Sequence, residues 1–127
     1  MDITNCKILI VDDIQANVAL ITAIIKRLNV KYETASSGEE AMTKVDSFKP
    51  DIVLLDLMMS DVSGWDVIKY IRDRYTMEQM SVIITSAITD HDNITECYDM
   101  GVNDYVAKPI VPDRLINTIL IHAQKLA

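Results

Sequence analysis

Asp12-Asp13, Asp56, Ser86 and Lys108 stand after four short apolar runs: Lys7 to Val11, Ile52 to Leu55, Val82 to Thr85, and Tyr105 to Ala107. Three carboxylates, a hydroxyl and an ammonium are a set suited to handling charge. Two carboxylates about 4 Å apart repel by roughly 4 kcal/mol at an effective dielectric near 20, so a cluster of this kind invites a counter-charge. A hard divalent cation, Mg²⁺ or Mn²⁺, removes the conflict. Mg²⁺ takes one or two carboxylates, keeps several waters and leaves positions for phosphate oxygens. Each residue taken singly has a plainer explanation. Asp12 or Asp13 can be the N-cap of a following helix, Ser86 can cap a turn, Asp56 can open a loop, and Lys108 can be a solvated lysine. What favours the chemical reading is convergence, and that depends on the elements that carry these residues.

Strand candidates are Lys7 to Val11, Tyr32 to Ala35, Ile52 to Leu55, Val82 to Ile84 and Tyr105 to Ala107. The first, third and fourth are continuous and rich in β-branched residues, as parallel strands covered on both faces must be, whereas the second alternates like an edge. Helical spacing runs between them. Ile14, Val18, Ile21, Ile25 and Leu28 mark one helix face of about four turns ending at Asn29. Ala41, Met42, Val45 and Phe48 mark a second helix, opened by Ser37-Gly38-Glu39-Glu40 and closed by Lys49-Pro50. Trp65, Ile68 and Ile71 mark a third, and Ile94, Cys97, Tyr98 and Gly101 a weak fourth. Leu115, Ile116, Ile119, Leu120 and Ala123 follow Pro112 as a fifth.

Strict alternation predicts right-handed crossovers and an α/β fold: a doubly wound, five-stranded parallel sheet of flavodoxin-like (βα)5 type, in the order 2-1-3-4-5. In that order the chain reverses between strands one and three, and ligands bind outside the carboxyl ends of strands at such a point. All four chemically interesting junctions then share one edge of the sheet.

Composition limits the alternatives. The 127 residues fit one domain, with half of them apolar, 24% charged and a net charge of −7. That charge argues against direct contact with nucleic acid, which needs clustered Lys and Arg. No apolar run approaches a membrane span, and the acidic, polar start does not read as a signal peptide, so a cytoplasmic protein is expected. Cys6 and Cys97 belong to no metal or redox motif and are expected to be buried hydrophobes. His91 and His122 read as surface or helix residues outside the site. Residues 1–127 are expected to be a single domain, either a stand-alone protein or a fragment of a longer one.

Val11-Asp12-Asp13, Leu55-Asp56-Leu57-Met58-Met59 with Gly64, Thr85-Ser86-Ala87, and Asp104 to Pro109 together resemble the signature blocks of response-regulator receiver domains. The resemblance covers nearly the whole chain. It implies that Asp56 is the phosphoacceptor, that Asp13 and Asp56 bind Mg²⁺ directly with the Met58 carbonyl, and that Asp12 acts through a coordinated water. Ser86 would hold a phosphoryl oxygen, Lys108 would pair with the phosphoryl group or Asp56, and Lys108-Pro109 would be cis. The implied donor is a phosphohistidine on a histidine kinase or histidine phosphotransfer protein. The domain would catalyse its own phosphorylation and dephosphorylation and would control an output through the fourth helix, fifth strand and fifth helix, with Ser86 and Tyr105 as switch residues. Dimerisation on phosphorylation is left open. Met58 and Ile88, two positions beyond Asp56 and Ser86, would tune the lifetime of the phosphoryl group by hindering water. One departure is Ser60, where the family usually carries proline.

Two other readings differ in testable ways. A haloacid-dehalogenase-like, Mg²⁺-dependent phosphatase needs a D-x-D pattern after the first strand, and Asp12-Asp13-Ile14 lacks it. A pseudo-receiver that only binds partners would not need the full set of acidic, hydroxyl and lysine positions.

Overall fold

The computed structural model describes residues 3–59, 61–87 and 91–124. Strands β1 (Lys7–Val11), β2 (Lys31–Ala35), β3 (Ile52–Leu55), β4 (Ser81–Ser86) and β5 (Asp104–Ala107) alternate with helices α1 (Gln15–Ile25), α2 (Gly38–Phe48), α3 (Gly64–Arg72), α4 (His91–Asp99) and α5 (Pro112–Ala123). The five strands form one parallel sheet in the order β2-β1-β3-β4-β5, as the alternation predicts.

Because side chains along a strand point alternately to the two faces, each continuous apolar run supplies two cores. Leu9, Val11, Val53, Leu55, Val82 and Ile84 face one way and bury Ala41 and Val45 of α2, Val67, Ile68 and Ile71 of α3, and Cys97 of α4. Ile8, Ile10, Ile52, Leu54, Ile83 and Val106 face the other way against Ile21, Ile24 and Ile25 of α1 and Leu115, Ile119 and Ala123 of α5. The two cysteines are buried and unpaired, as expected.

The first helix departs from its predicted face. Ile14 lies outside the helix, at its N-cap, and is 53% exposed, so it is not a core residue. The last turn, Lys26–Leu28, tightens to a 3-10 helix, and Asn29 then takes a left-handed conformation with φ 55° and ends it. In α4 the buried contact is made by Cys97, while Tyr98 is 46% exposed. Among the described residues, no helix is long and apolar enough to cross a membrane.

Candidate functional site

Strand register explains why the charged residues meet. Val11 pairs with Leu55, so Asp12 and Asp56 leave adjacent strands at the same level, and the Asp56 N–H donates to the Val11 carbonyl at 3.0 Å. On the far side Leu55 pairs with Ile84 and Ser86 with Ala107, which brings Ser86 and Lys108 to the same edge. One ligand oxygen from each of Asp12, Asp13 and Asp56 lies within 4.8 Å of the others.

The two buried aspartates are held alike. One oxygen of Asp12 accepts the Ile14 N–H at 2.9 Å, and one oxygen of Asp56 accepts the Met58 N–H at 3.0 Å. These are Asx turns, made by short acidic side chains with the backbone two residues on. The second oxygen of each faces the Lys108 ammonium, at 2.7 Å from Asp12 and 3.1 Å from Asp56. Neither aspartate is the N-cap of α1. That place falls to Ile14, which makes no capping bond.

Asp12 and Asp56 are almost wholly buried, and Asp13 is half-buried. Burial by itself lowers the Lys108 pKa, yet the hydrogen bond to Asp12 and the charges of Asp56 and Asp12 outweigh it and hold the ammonium above its ordinary 10.5. Three carboxylates against one ammonium leave two negative charges, which a divalent cation matches. The oxygen-only donor set suits a hard ion, so the residues present fit Mg²⁺.

Ser86 is fully buried at the end of β4. Its carbonyl accepts both the Lys108 N–H at 3.0 Å and the Tyr105 hydroxyl at 3.1 Å. Lys108-Pro109 is cis, as the sequence blocks imply. Gly64 closes the loop after Asp56. Its N–H donates to the Leu57 carbonyl at 3.1 Å, and a Cβ there would stand 2.5 Å from the Leu57 Cα. Only glycine allows so close an approach without a shift. Met58 is 65% exposed. Ile88 and Ser60 lie outside the described residues.

His122 is a helix residue of α5 outside the site, and it is buried. Its Nε2 lies 2.9 Å from an Asp104 oxygen, tying α5 to β5. Asp61 escaped the sequence reading. Its carboxylate accepts backbone N–H groups of Gly38 and Glu39, more than twenty residues earlier.

Residues 8–120 match the model of the response regulator receiver domain. The chain belongs to that family. Receiver domains of two-component response regulators share the five-stranded order found here, and the enzyme and pseudo-receiver readings receive no support. The chain is 34% identical over 108 residues to the alkaline phosphatase synthesis transcriptional regulatory protein PhoP of Bacillus subtilis, covering 85% of this chain and 44% of that protein. It is 32% identical over 106 residues to the response regulator PleD of Caulobacter vibrioides, covering 84% of this chain and 23% of that protein. This receiver domain thus spans less than half the length of either relative. A solved two-component response regulator from Clostridium difficile superposes with a TM-score of 0.89 at 25% identity, covering 96% of this chain and 98% of that one.

Proposed function

We propose that this receiver domain takes a phosphoryl group onto Asp56 from a phosphohistidine and passes the change to an output. The observation that carries the reading is the buried Asp56 carboxylate, oriented by the Met58 N–H and the Lys108 ammonium beside Asp12 and Asp13. An Asp56 oxygen attacks phosphorus in line while the phosphorus–nitrogen bond breaks and its electron pair returns to the imidazole, which then takes a proton from solvent. Lys108 neutralises charge on the transferring oxygens, and the Ser86 hydroxyl donates to one of them. Asp13 and Asp56, with the Met58 carbonyl, would hold Mg²⁺ or Mn²⁺, and Asp12 would act through a bound water. A bound cation would supply positive charge that offsets the charge developing on the transferring phosphoryl oxygens.

A histidine kinase or histidine phosphotransfer protein is the partner of choice. Exposed Ile14, Met58 and Val111 each stand within three residues of a charged site residue and offer such a partner an apolar rim. The output surface is α4, β5 and α5. Tyr105 bonds the Ser86 carbonyl, so a pull on Ser86 toward the phosphoryl group would disturb the tyrosine. We read residues 1–127 as a cytoplasmic regulatory domain whose output is a further domain or a separate protein, with dimerisation on phosphorylation as one route. Incubation with acetyl phosphate and Mg²⁺, followed by intact mass, should show one added phosphate. Full labelling of Asp56→Asn would overturn the assignment.

A further inference from the structure

The segment from Asp56 to Gly64 contains no proline, so nothing in its covalent structure fixes its path. Its near end is held at the site by the Met58 N–H on Asp56. Further along it is fastened to a different element. The Asp61 carboxylate accepts the N–H groups of Gly38 and Glu39, the first two residues of α2, at 3.1 and 3.4 Å. Beside it Val62 packs beneath Gly38 so closely that a Cβ on the glycine would stand 2.6 Å from the Val62 carbonyl oxygen and 2.7 Å from its Cβ. Hydrogen bonding from Gly38 above all, against the opposite effect of burial, holds the Asp61 carboxyl below its ordinary 3.8.

The start of α2 is already capped without Asp61. The Ser37 hydroxyl accepts the Glu40 N–H at 3.1 Å, and the Glu40 carboxylate reaches back to the Ser36 N–H at 2.6 Å. Asp61 takes the two N–H groups that this local cap leaves over. It therefore links the loop to the helix across 23 residues, besides adding to the cap.

We propose that Asp61 is a positioning residue, which by pinning the loop to the start of α2 sets where the Met58 carbonyl stands and so sets the affinity of the acidic cluster for Mg²⁺. The proposal rests on the phosphoacceptor reading above. Freed from α2, the segment samples more conformations, and the cost of ordering it is charged against cation binding.

The test uses the full chain, with Mg²⁺ alone as the titrant. Affinity is read from Trp65 fluorescence and from calorimetry, and hydrogen exchange is followed at the Met58, Gly38 and Glu39 amides. Asp61→Ala should weaken Mg²⁺ binding roughly three- to tenfold, less than the loss usual for a group bonded directly to a ligand. Gly38 and Glu39 bond different oxygens of Asp61, so Asp61→Asn, with a single acceptor oxygen, keeps the Gly38 bond, loses the Glu39 bond and should recover only part of the affinity. Gly38→Ala pushes on Val62 from the opposite side and should weaken binding in the same direction. Ser37→Ala removes the local cap and should lower the melting temperature while leaving Mg²⁺ affinity unchanged. With acetyl phosphate, Asp61→Ala should be slow at low Mg²⁺ and recover at saturating Mg²⁺. Unchanged affinity in Asp61→Ala, or an equal loss in Ser37→Ala, would overturn the positioning role and leave the phosphoacceptor reading intact. A parent protein that binds no Mg²⁺ would overturn both.

Discussion

Replacing Lys108 by methionine keeps an unbranched stem and removes the ammonium shared by Asp12 and Asp56. At an effective dielectric near 20, unit charges at the observed 2.7 and 3.1 Å attract by about 6 and 5 kcal/mol. Desolvation of the same groups offsets most of this, so the sum is no measure of net stability. Removing one partner of a buried pair costs about 3–5 kcal/mol, because the remaining charge stays buried without compensation. The Lys108 side chain retains 16% exposure, which argues for the lower end. A loss of about 3 kcal/mol corresponds to roughly 10 °C in Tm for a domain of this size. Mg²⁺ should then stabilise Lys108→Met more than the parent, since the cation meets the carboxylates without a competing ammonium; each tenfold gain in affinity adds about 1.4 kcal/mol under excess cation. Thermal melts at pH 7, first with chelator and then with Mg²⁺, measure both quantities. The pH dependence has a definite sign. The Lys108 pKa is raised on folding, so its contribution is complete below the ordinary 10.5 and fades as pH rises through the folded value. The gap between parent and variant should stay flat from neutrality to about pH 10 and close above it. A Lys108→Met protein as stable as the parent without Mg²⁺, and with no larger gain from Mg²⁺, would refute the argument that the lysine compensates the buried carboxylates.

Asp13→Asn should show the opposite behaviour, with a strongly reduced Mg²⁺ gain in Tm, and an unchanged gain would remove Asp13 from the cation site. Met58→Asn should shorten the lifetime of phosphorylated protein by giving attacking water a hydrogen-bond partner, and Ile88→Gln should add to the effect; decay no faster in the double variant counts against control of water by these side chains. Tyr105 should change exposure when beryllofluoride is added with Mg²⁺, and an unaltered ring environment by NMR would dispose of the switch. Arg72 donates to the carbonyls of Gly101 and Met80 and to the Asn103 side chain, so Arg72→Leu should cost about 2–4 kcal/mol by denaturant titration with little effect on Mg²⁺ affinity.

The sheet was legible because parallel strands buried on both faces must be continuous apolar runs, and β1, β3 and β4 are just that. Helical spacing was less reliable at its ends. Ile14 continues the periodicity of α1 but belongs to the turn that Asp12 imposes, so its side chain points outward despite the pattern. The burial of His122 could not be read, because nothing local shows that Asp104 will lie beside it, 18 positions away.

The same distinction separates what can be read at the site from what cannot. Asp12 and Asp56 each bind the N–H two residues on, a local bond that any aspartate at a strand end can make, and parallel register then repeats the geometry on the neighbouring strand. Two such turns side by side are awkward without positive charge, so a lysine delivered by a distant strand becomes intelligible once the strand order is known. Lys108 reaches Asp12 across 96 residues; charge balance alone called for a cation, and only the resemblance to receiver domains pointed to Lys108, as a partner of the phosphoryl group or Asp56. Asp61 is different. Its partners are backbone N–H groups, present in every residue but proline, so no residue type announces the pairing. Only the crossover that brings α2 down beside the loop after β3 decides which amides it meets. Side chains that carry charge chemistry are therefore constrained in type and leave a mark on the sequence. Those that hold a loop by its backbone contacts are constrained in place, and place is settled by the fold.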